Sequence, residues 1–430
     1  MGVKLGDYQR SVSIIGVGAT PFMRTYDNEE TAGYTEGELY AWAAIDAMED
    51  AGINPDDIDY YFHAQAGAVL FSNYGTPAVQ VGDWIGMRGR GAAHHNEACC
   101  SGYVALDMAV NMVASGKYDM VLTGAVEMGN SIYAPKMPAH IRKSLGSGGL
   151  FSVGDGPARL IDRAYQRFMG IDSLQITMDL VAEKYSRTYG LSYEQMDDIL
   201  NAFSYNARRN ASKCERALNR KTFEEEAAEH GMDDPWAYLK SDYNPKISRY
   251  LRLTGFEATC DAAAAIIVCP TEMAKQFKHK PIEILGIGMS TVNAGQIDNE
   301  ERATREAIRQ VYEKTKVRPE EIDLLMANDF VITSQLLAAE ESGYIPRGEG
   351  WKYALDGRTC YDSDRPINTG GGRTNGHAWA ASGVQDHFEA VTQMRGLAGE
   401  RQLKNVPRTV LLRGFGGTQN CTATILRTVD

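Results

Sequence analysis

At 430 residues with 43% hydrophobic side chains, the chain has enough apolar surface for two or three domains or one large double domain. A formal charge of −12 and a pI near 5.3 exclude a general nucleic-acid binder. No apolar run approaches the ~20 residues of a membrane span, and the start has neither a secretory leader nor a myristoylation signal, so a soluble, cytoplasmic protein with no membrane partner is expected.

Ser11 to Val17 reads as a buried strand ending in Gly16-Val17-Gly18. Pro21 stands where a dinucleotide fingerprint would need its third glycine, which argues against a nucleotide cofactor. Thr35 to Ala51 follows as an amphipathic helix, with Thr35 and Glu38 at capping-box spacing and Gly52 closing it. Pro55-Asp56-Asp57-Ile58-Asp59 turns the chain into a strand at Tyr60–Gln65, and a helix near Val79–Gly86 leads to the next strand. That strand carries His94 and His95, which read as packing or capping residues, and ends in Asn96-Glu97-Ala98-Cys99-Cys100-Ser101-Gly102. From Ser101 apolar residues recur at three- and four-residue steps as far as Gly116, which predicts a long helix with a cysteine at its N-terminal junction. Met120–Val126 reads as another buried strand.

Residues 130–255 differ in character, being rich in Gly, Tyr, Arg and Lys, with a Gly146-Ser147-Gly148-Gly149 loop and helices at Ser173–Tyr189 and Tyr193–Ala211. The cluster Arg208, Arg209, Lys213, Arg216, Arg220 and Lys221 reads as a solvated helical face, with a site for an anion as the alternative. Ala262–Val268 returns to buried-strand character.

The pattern then starts again. Ile284-Leu285-Gly286-Ile287-Gly288 echoes Ile14–Gly18, and Pro319–Asp323, after a helix at Glu300–Thr315, echoes Pro55–Asp59. Ala381-Ser382-Gly383 echoes Cys100-Ser101-Gly102, and strands at Val410–Leu412 and Thr422–Leu426 echo Val121-Leu122 and Ala264–Val268. Four features in the same order imply two related α/β halves, 1–275 and 276–430, with an insertion at about 130–255 in the first. The helices from Ser101 and Ser382 should then lie side by side, bringing Cys99 close to the residues just before Ser382.

Seven cysteines, at 99, 100, 214, 260, 269, 360 and 421, include no C-x-x-C pair, so neither a structural zinc site nor a redox dithiol is expected, and no metal in this chain. Cys99 and Cys100 are rival nucleophiles. A helix N-terminus supplies about 0.3–2 kcal/mol toward a thiolate, and with a neighbouring imidazole lowers a thiol pKa to roughly 3.5–7.5, the state expected for Cys99. His377, reached through a glycine-rich approach, is the candidate base.

Along essentially its whole length the chain resembles the thiolase superfamily, nearest the archaeal and sterol-carrier-protein-type thiolases. Cys99-Cys100-Ser101-Gly102 is similar to the C-x-S-G nucleophile motif, and Cys260-Asp261-Ala262-Ala263-Ala264 to the segment closing the first half. Asn368–Gly372, Gly376-His377 and Ala381–Gly383 are similar to the N-x-x-G-G…G-H-P…S-G block, with Ala378 in place of the proline and Trp379 as a possible pocket wall. The resemblance implies a duplicated five-layered α-β-α-β-α fold whose insertion is a loop domain that binds coenzyme A. It implies acyltransferase chemistry on a β-ketoacyl-CoA: Cys99 as acyl acceptor, His377 as its base, and oxyanion donors from the Cys99 main chain with Gly416 and Gly417, and from Asn328 with His377. A homodimer core and a small zinc-ribbon/OB-fold partner subunit are implied on the same ground, as is a link to the thiolase subunit that acts on benzoylsuccinyl-CoA in aromatic catabolism. Arg413 stands where many relatives carry a second, acid/base cysteine; Cys360 and Cys421 are substitutes, and Arg413 itself suits a substrate carboxylate. A ketoacyl- or hydroxymethylglutaryl-CoA-type synthase and a non-catalytic acyl-CoA-binding scaffold are the alternatives.

Overall fold

The computed structural model describes residues 10–27, 29–67, 75–128, 174–291, 299–416 and 420–429. The Gly146–Gly149 loop and much of the insertion lie outside them. Nine strands among these residues pair in the order β3-β2-β4-β5-β1-β6-β9-β8-β7. In chain order they are β1 (Val12–Ala19), β2 (Tyr60–Ala64), β3 (Gly91–His95), β4 (Val121–Glu127), β5 (Ala262–Pro270), β6 (Ile282–Thr291), β7 (Leu324–Ala327), β8 (Thr409–Gly416) and β9 (Asn420–Thr428). Read outward from the middle, β1-β5-β4-β2 and β6-β9-β8-β7 follow the same rule: the first strand of a half pairs with the last, then the one before it, then the second. The seam is short, Ser13 opposite Glu283 and Ile14 opposite Ile282.

The principal helices are α1 (Glu36–Ala51), α2 (Pro77–Trp84), α3 (Ser101–Ala114), α4 (Leu174–Tyr189), α5 (Tyr193–Ser212), α6 (Asn299–Thr315), α7 (Ile332–Glu341) and α8 (Trp379–Met394). Three apolar clusters define the layering. Leu39, Ala43 and Ala47 of α1 and Val81 of α2 pack on Ile15, Leu122 and Ile267, covering one face of the first half of the sheet. Leu106 and Ala109 of α3 and Val384 and Val391 of α8 pack on Ile14, Val121 and Ile266 from one half and on Met326, Leu412 and Leu426 from the other. Ala303 and Val311 of α6 and Leu336 of α7 cover the far face of the second half at Leu325, Leu411 and Ile425. The layers are thus α-β-α-β-α with α3 and α8 in the middle. Each fully buried aliphatic side chain there contributes roughly 1.5–3 kcal/mol.

Two glycines permit the central contact. A Cβ on Gly102 would lie 2.5 Å from the Ala380 carbonyl oxygen, and one on Gly383 would lie 2.7 Å from the Tyr103 ring. Gly16 and Gly18 do the same for α1, whose Ala47 and Ala43 carbonyls a Cβ would meet at 2.2 and 2.1 Å. That close packing, and not a nucleotide loop, accounts for the G-x-G.

Local chemistry sets the boundaries. Thr35 and Glu38 form the expected capping box on α1, and Gly52 ends it in the left-handed region at φ 74°. In the second half α8 opens at Trp379, three residues before Ser382, so the serine sits inside its first turn. Trp379 joins the central apolar cluster, and so belongs to the core and not to an open pocket wall.

The basic cluster on α5 and beyond splits. Arg208 is 5% exposed: its Nε donates to Asn375 Oδ1 at 2.6 Å, Nη1 pairs with Glu226, and the guanidinium lies 4.5 Å from the Phe223 ring centre. Arg216 donates to the Ala19 carbonyl and stacks on Phe388. The solvated-face expectation is therefore corrected for these two residues. Helical spacing alone does not register that α5 is packed on both sides.

Candidate active site

Between β3 and α3 the chain makes a tight turn held by side chains on its own backbone. Asn96 accepts the Ala98 N–H at 3.1 Å and donates to Ala66 O at 3.2 Å, fixing Ala98 at φ 50°. The Ser101 hydroxyl accepts the Glu97 N–H and donates to Ala98 O, both at 2.6 Å. This geometry separates the two thiols. Cys100 is fully buried as the residue before the helix, its Sγ 3.6 Å from Thr422 Oγ1 of β9, and its thiol is pushed up to about 12, mainly by burial. Cys99 remains partly accessible.

The expected depression of the Cys99 pKa is corrected. Burial first, then the Glu257 carboxylate, push its thiol up, with Arg373 opposing. Burial thus favours the protonated thiol, which would need a base in order to act as a nucleophile.

His377 is delivered by a loop pinned to the end of β7. The Asn368 side chain accepts the Ala327 N–H at 2.7 Å and donates to Ala327 O at 2.9 Å. Asp329 accepts the Arg373 N–H at 2.6 Å, and a Cβ on Gly372 would lie 2.3 Å from that carboxylate, so this position admits only glycine. His377 then runs parallel to Thr259, its N–H donating to Ala258 O at 2.8 Å and its carbonyl accepting from Cys260 at 3.0 Å. The ring is wholly buried. Nδ1 meets Ser382 Oγ at 3.0 Å, and the same oxygen accepts the Ala378 N–H at 2.8 Å; a hydroxyl oxygen can accept both, so Nδ1–H donating to Ser382 leaves Nε2 free to take a proton.

Nε2 lies 3.1 Å from Glu257 Oε2, within ion-pair reach but off the line of a hydrogen bond. Burial, reinforced by Arg373, holds the imidazole well below its usual pKa. Burial carries Glu257 up to about 8 against Arg373. Near pH 7 the pair is therefore a neutral ring beside a protonated carboxyl, and the short distance is not an ion pair.

Arg373 is the site's fixed charge. It forks onto Asp386 at 2.8 and 2.5 Å, and Asp386 also accepts the Tyr103 hydroxyl, which ties α3 to α8 behind the cysteine. Glu127, at the end of β4, spends its oxygens on the Ala66 and Gly67 N–H groups.

Asn328 is buried at the end of β7, with Nδ2 donating to Phe415 O at 2.7 Å and Oδ1 accepting the Phe330 N–H at 3.2 Å. Gly416 ends β8 against the nucleophile turn: a Cβ there would lie 2.8 Å from Glu97 O and 3.2 Å from the Cys100 Cβ. Gly417 lies outside the described residues. Arg413 is wholly enclosed; Nη2 pairs with Glu300 and bonds Thr304, both at 2.7 Å, Nε reaches Thr304 at 3.1 Å and Nη1 reaches Asn328 O at 3.0 Å. A guanidinium so occupied holds strand ends in place and is closed to a substrate carboxylate, which corrects the expectation that it binds one. Cys421 faces Thr304 beside it, and Cys360 sits by Arg209, so neither is among the ionisable neighbours of Cys99. The described residues contain no group of three or more His, Cys, Asp or Glu suited to a metal.

Sequence reasoning missed Glu257, Arg373 and Asp386. The available signal was weak: Glu257 is a lone carboxylate between apolar residues just ahead of the Cys260–Ala264 motif.

A partly accessible cysteine at a helix start and a buried histidine–carboxyl pair near the start of the neighbouring helix are the candidate site of this duplicated α/β fold. The family model described as "Thiolase, N-terminal domain" matches residues 12–231, more than half the chain, and "Thiolase C-terminal domain-like" matches residues 289–428. The chain belongs to the thiolase family and is an acyl-CoA C-acyltransferase of thiolase type. It is 28% identical to an acetyl-CoA acetyltransferase of Methanothermobacter thermautotrophicus over 95% of this chain and 98% of that protein. It is 29% identical to the benzoylsuccinyl-CoA thiolase subunit BbsB of Thauera aromatica, over 44% of this chain and 52% of that one. Among solved structures, one described as an Ltp2-ChsH2(DUF35) aldolase shares the fold at a TM-score of 0.74 with 20% identity, over 97% of this chain and 98% of that one.

Proposed function

We propose that the protein cleaves or forms a β-ketoacyl-CoA through an acyl group carried on Cys99, with His377 as the base that activates the thiol. The observation that carries this reading is the convergence of Cys99 and the His377–Glu257 pair at the paired starts of α3 and α8, with Glu257 next to His377 and acting on the Cys99 thiol. In the cleavage direction His377 accepts the Cys99 proton and the sulfur attacks the β-carbonyl. The carbon–carbon bond breaks, one acyl-CoA departs, and free coenzyme A removes the acyl group from Cys99. Each tetrahedral oxyanion needs donors set in advance, a contribution of about 3–4 kcal/mol per donor. We assign these to the main chain of Cys99 with Gly416 and Gly417, and to Asn328 with His377.

On this reading the chain divides at about residue 275 into a nucleophile half and a histidine half, and the insertion at about 130–255 receives coenzyme A. An aromatic or dicarboxylic 3-oxoacyl-CoA such as benzoylsuccinyl-CoA is the proposed substrate class, supported by the partial similarity to BbsB. A homodimer core with a small zinc-ribbon/OB-fold subunit is the proposed assembly, supported by relatives whose descriptions name a subunit or a second component. We place the protein in the cytoplasm; no helix among the described residues is long and apolar enough to cross a membrane.

The test is mass spectrometry of the intact protein after incubation with acetyl-CoA, followed by thiolysis of acetoacetyl-CoA and benzoylsuccinyl-CoA. An acyl adduct on Cys99 and CoA-dependent cleavage are expected. An unmodified Cys99 would return the chain to the scaffold alternative, and condensation without thiolysis would favour the synthase.

A further inference from the structure

Carbon–carbon cleavage needs two proton carriers. One holds the proton taken from Cys99, and His377 fills that place. The other must deliver a proton to the α-carbon, because the departing acyl-CoA leaves as an enolate holding the electron pair of the broken bond. Arg413 cannot serve, since its guanidinium is sealed against Glu300, Thr304 and the Asn328 carbonyl. Glu127 also acts on the charge of Cys99, but its oxygens are taken by main-chain N–H groups.

Glu257 is different. It is 4% exposed, its carboxyl is the largest charged influence on the Cys99 thiol, and Oε2 lies 3.1 Å from His377 Nε2. Its other oxygen, Oε1, is buried and makes no hydrogen bond among the described residues. A buried carboxyl oxygen with no partner is costly unless a ligand completes it. The titratable groups facing it are His377, Arg373 and Cys99, and none of them hydrogen-bonds Oε1.

We propose that Glu257 is the second acid/base of this site, giving its proton to the α-carbon on cleavage and taking one from it on condensation. This rests on the thiolase reading above. The protons balance. The Cys99 thiol proton passes to His377, and the Glu257 proton passes to the enolate carbon, leaving a carboxylate. That carboxylate takes the thiol proton of incoming coenzyme A as its sulfur attacks the Cys99 thioester. His377 then returns its proton to the released Cys99 sulfur, and both residues are restored. The protonated state required at the start is the one burial favours at neutral pH.

The experiment separates acyl transfer from proton transfer at carbon in the full chain. Acylation of Cys99 by acetyl-CoA is followed by mass, and deuterium entry into the acetyl methyl group in D2O is followed by NMR. For Glu257→Gln we expect deuterium exchange and thiolysis both lower by about 10²- to 10⁴-fold, and acylation by acetyl-CoA lowered by a much smaller factor, because the coenzyme A sulfur can leave as a thiolate whereas the α-carbon cannot do without its acid. Glu257→Asp, which restores a carboxyl, should recover part of the exchange, and it serves as the readout should the glutamine variant fold poorly. Exchange at the wild-type rate in Glu257→Gln would overturn the proposal. So would equal losses of acylation and exchange, which would make Glu257 an orienting partner of His377 only. A wild-type protein that takes no acyl group on Cys99 would instead bring down the thiolase reading itself.

Discussion

The two central turns of the molecule are built alike and present different chemistry. Before α3, the Ser101 hydroxyl works entirely on main chain, accepting from Glu97 and donating to Ala98. In the first turn of α8, Ser382 accepts the Ala378 N–H in the same manner but turns its second contact to the His377 ring. In the first half the serine fixes only where Cys99 sits. In the second it also holds one ring nitrogen of His377, so that a single group sets both the turn and the orientation of the ring.

The sharpest way to break the comparison is to remove what each turn presents. Cys99→Ala should abolish the acyl adduct and lower thiolysis by more than about 10³-fold. Cys100→Ala, whose sulfur faces β9, should keep the adduct and lose stability through the small cavity it leaves. If the adduct forms on the Cys99→Ala protein and vanishes in the Cys100→Ala protein, the two thiols have exchanged roles.

A second contrast lies between two buried arginines. Arg373 is ion-paired to Asp386 and acts on both His377 and Cys99, whereas Arg413 is ion-paired to Glu300 and faces away from them. Arg413→Met should strand Glu300 and cost about 3–5 kcal/mol, read by denaturant titration. It should leave the pH profile of the surviving folded protein in place, while Arg373→Met should shift that profile as well. A profile displaced by Arg413→Met would show that this arginine reaches the reacting groups after all.

These contrasts also mark what the sequence could and could not reveal. The Thr35–Glu38 box, the helix at Ser101 and the strand repeats were legible because each depends on residues within a few positions of one another. The close approach of α3 to α8 was legible through its repeated Ser-Gly pair, since only a glycine admits a carbonyl at 2.5 Å from its Cβ position. The partners of Arg413 and Arg208 were not, because Glu300 and Asn375 are 113 and 167 positions away and belong to other layers. Glu257 was missed for the same reason. Its neighbours are apolar, and its meaning comes from a histidine in the other half. The expected low Cys99 pKa failed because a helix terminus offers little against burial beside a second acid.

A smaller effect sharpens the serine comparison. Ser101→Ala removes two main-chain contacts and should cost about 1–2 kcal/mol in stability with no change in the pH dependence of thiolysis. Ser382→Ala should cost a similar amount and also displace the acidic limb of that dependence, because His377 Nδ1 loses its partner. Identical pH profiles for the two variants would mean that Ser382 acts only on the backbone, as Ser101 does.

The smallest predicted effect comes from pH alone. Cleavage requires Glu257 protonated, and its folded pKa is raised from 4.5 to about 8 by burial. The thiolysis rate should therefore hold level through neutral pH and fall to half its plateau near pH 8. The groups that face Glu257 set this value jointly: Arg373 pulls it down, and the buried neutral ring of His377 does not oppose burial. The same shift has a stability consequence of fixed sign. A carboxyl whose folded pKa exceeds its unfolded one contributes most below pH 4.5, and that contribution is lost as pH rises through about 8. Glu257→Gln does not titrate, so its unfolding free energy should decline less than that of wild type between pH 5 and 8. A wild-type rate that stays level to pH 9.5, together with parallel stability curves for the two proteins, would mean that Glu257 is already ionised in the folded site and that the proton for carbon comes from elsewhere.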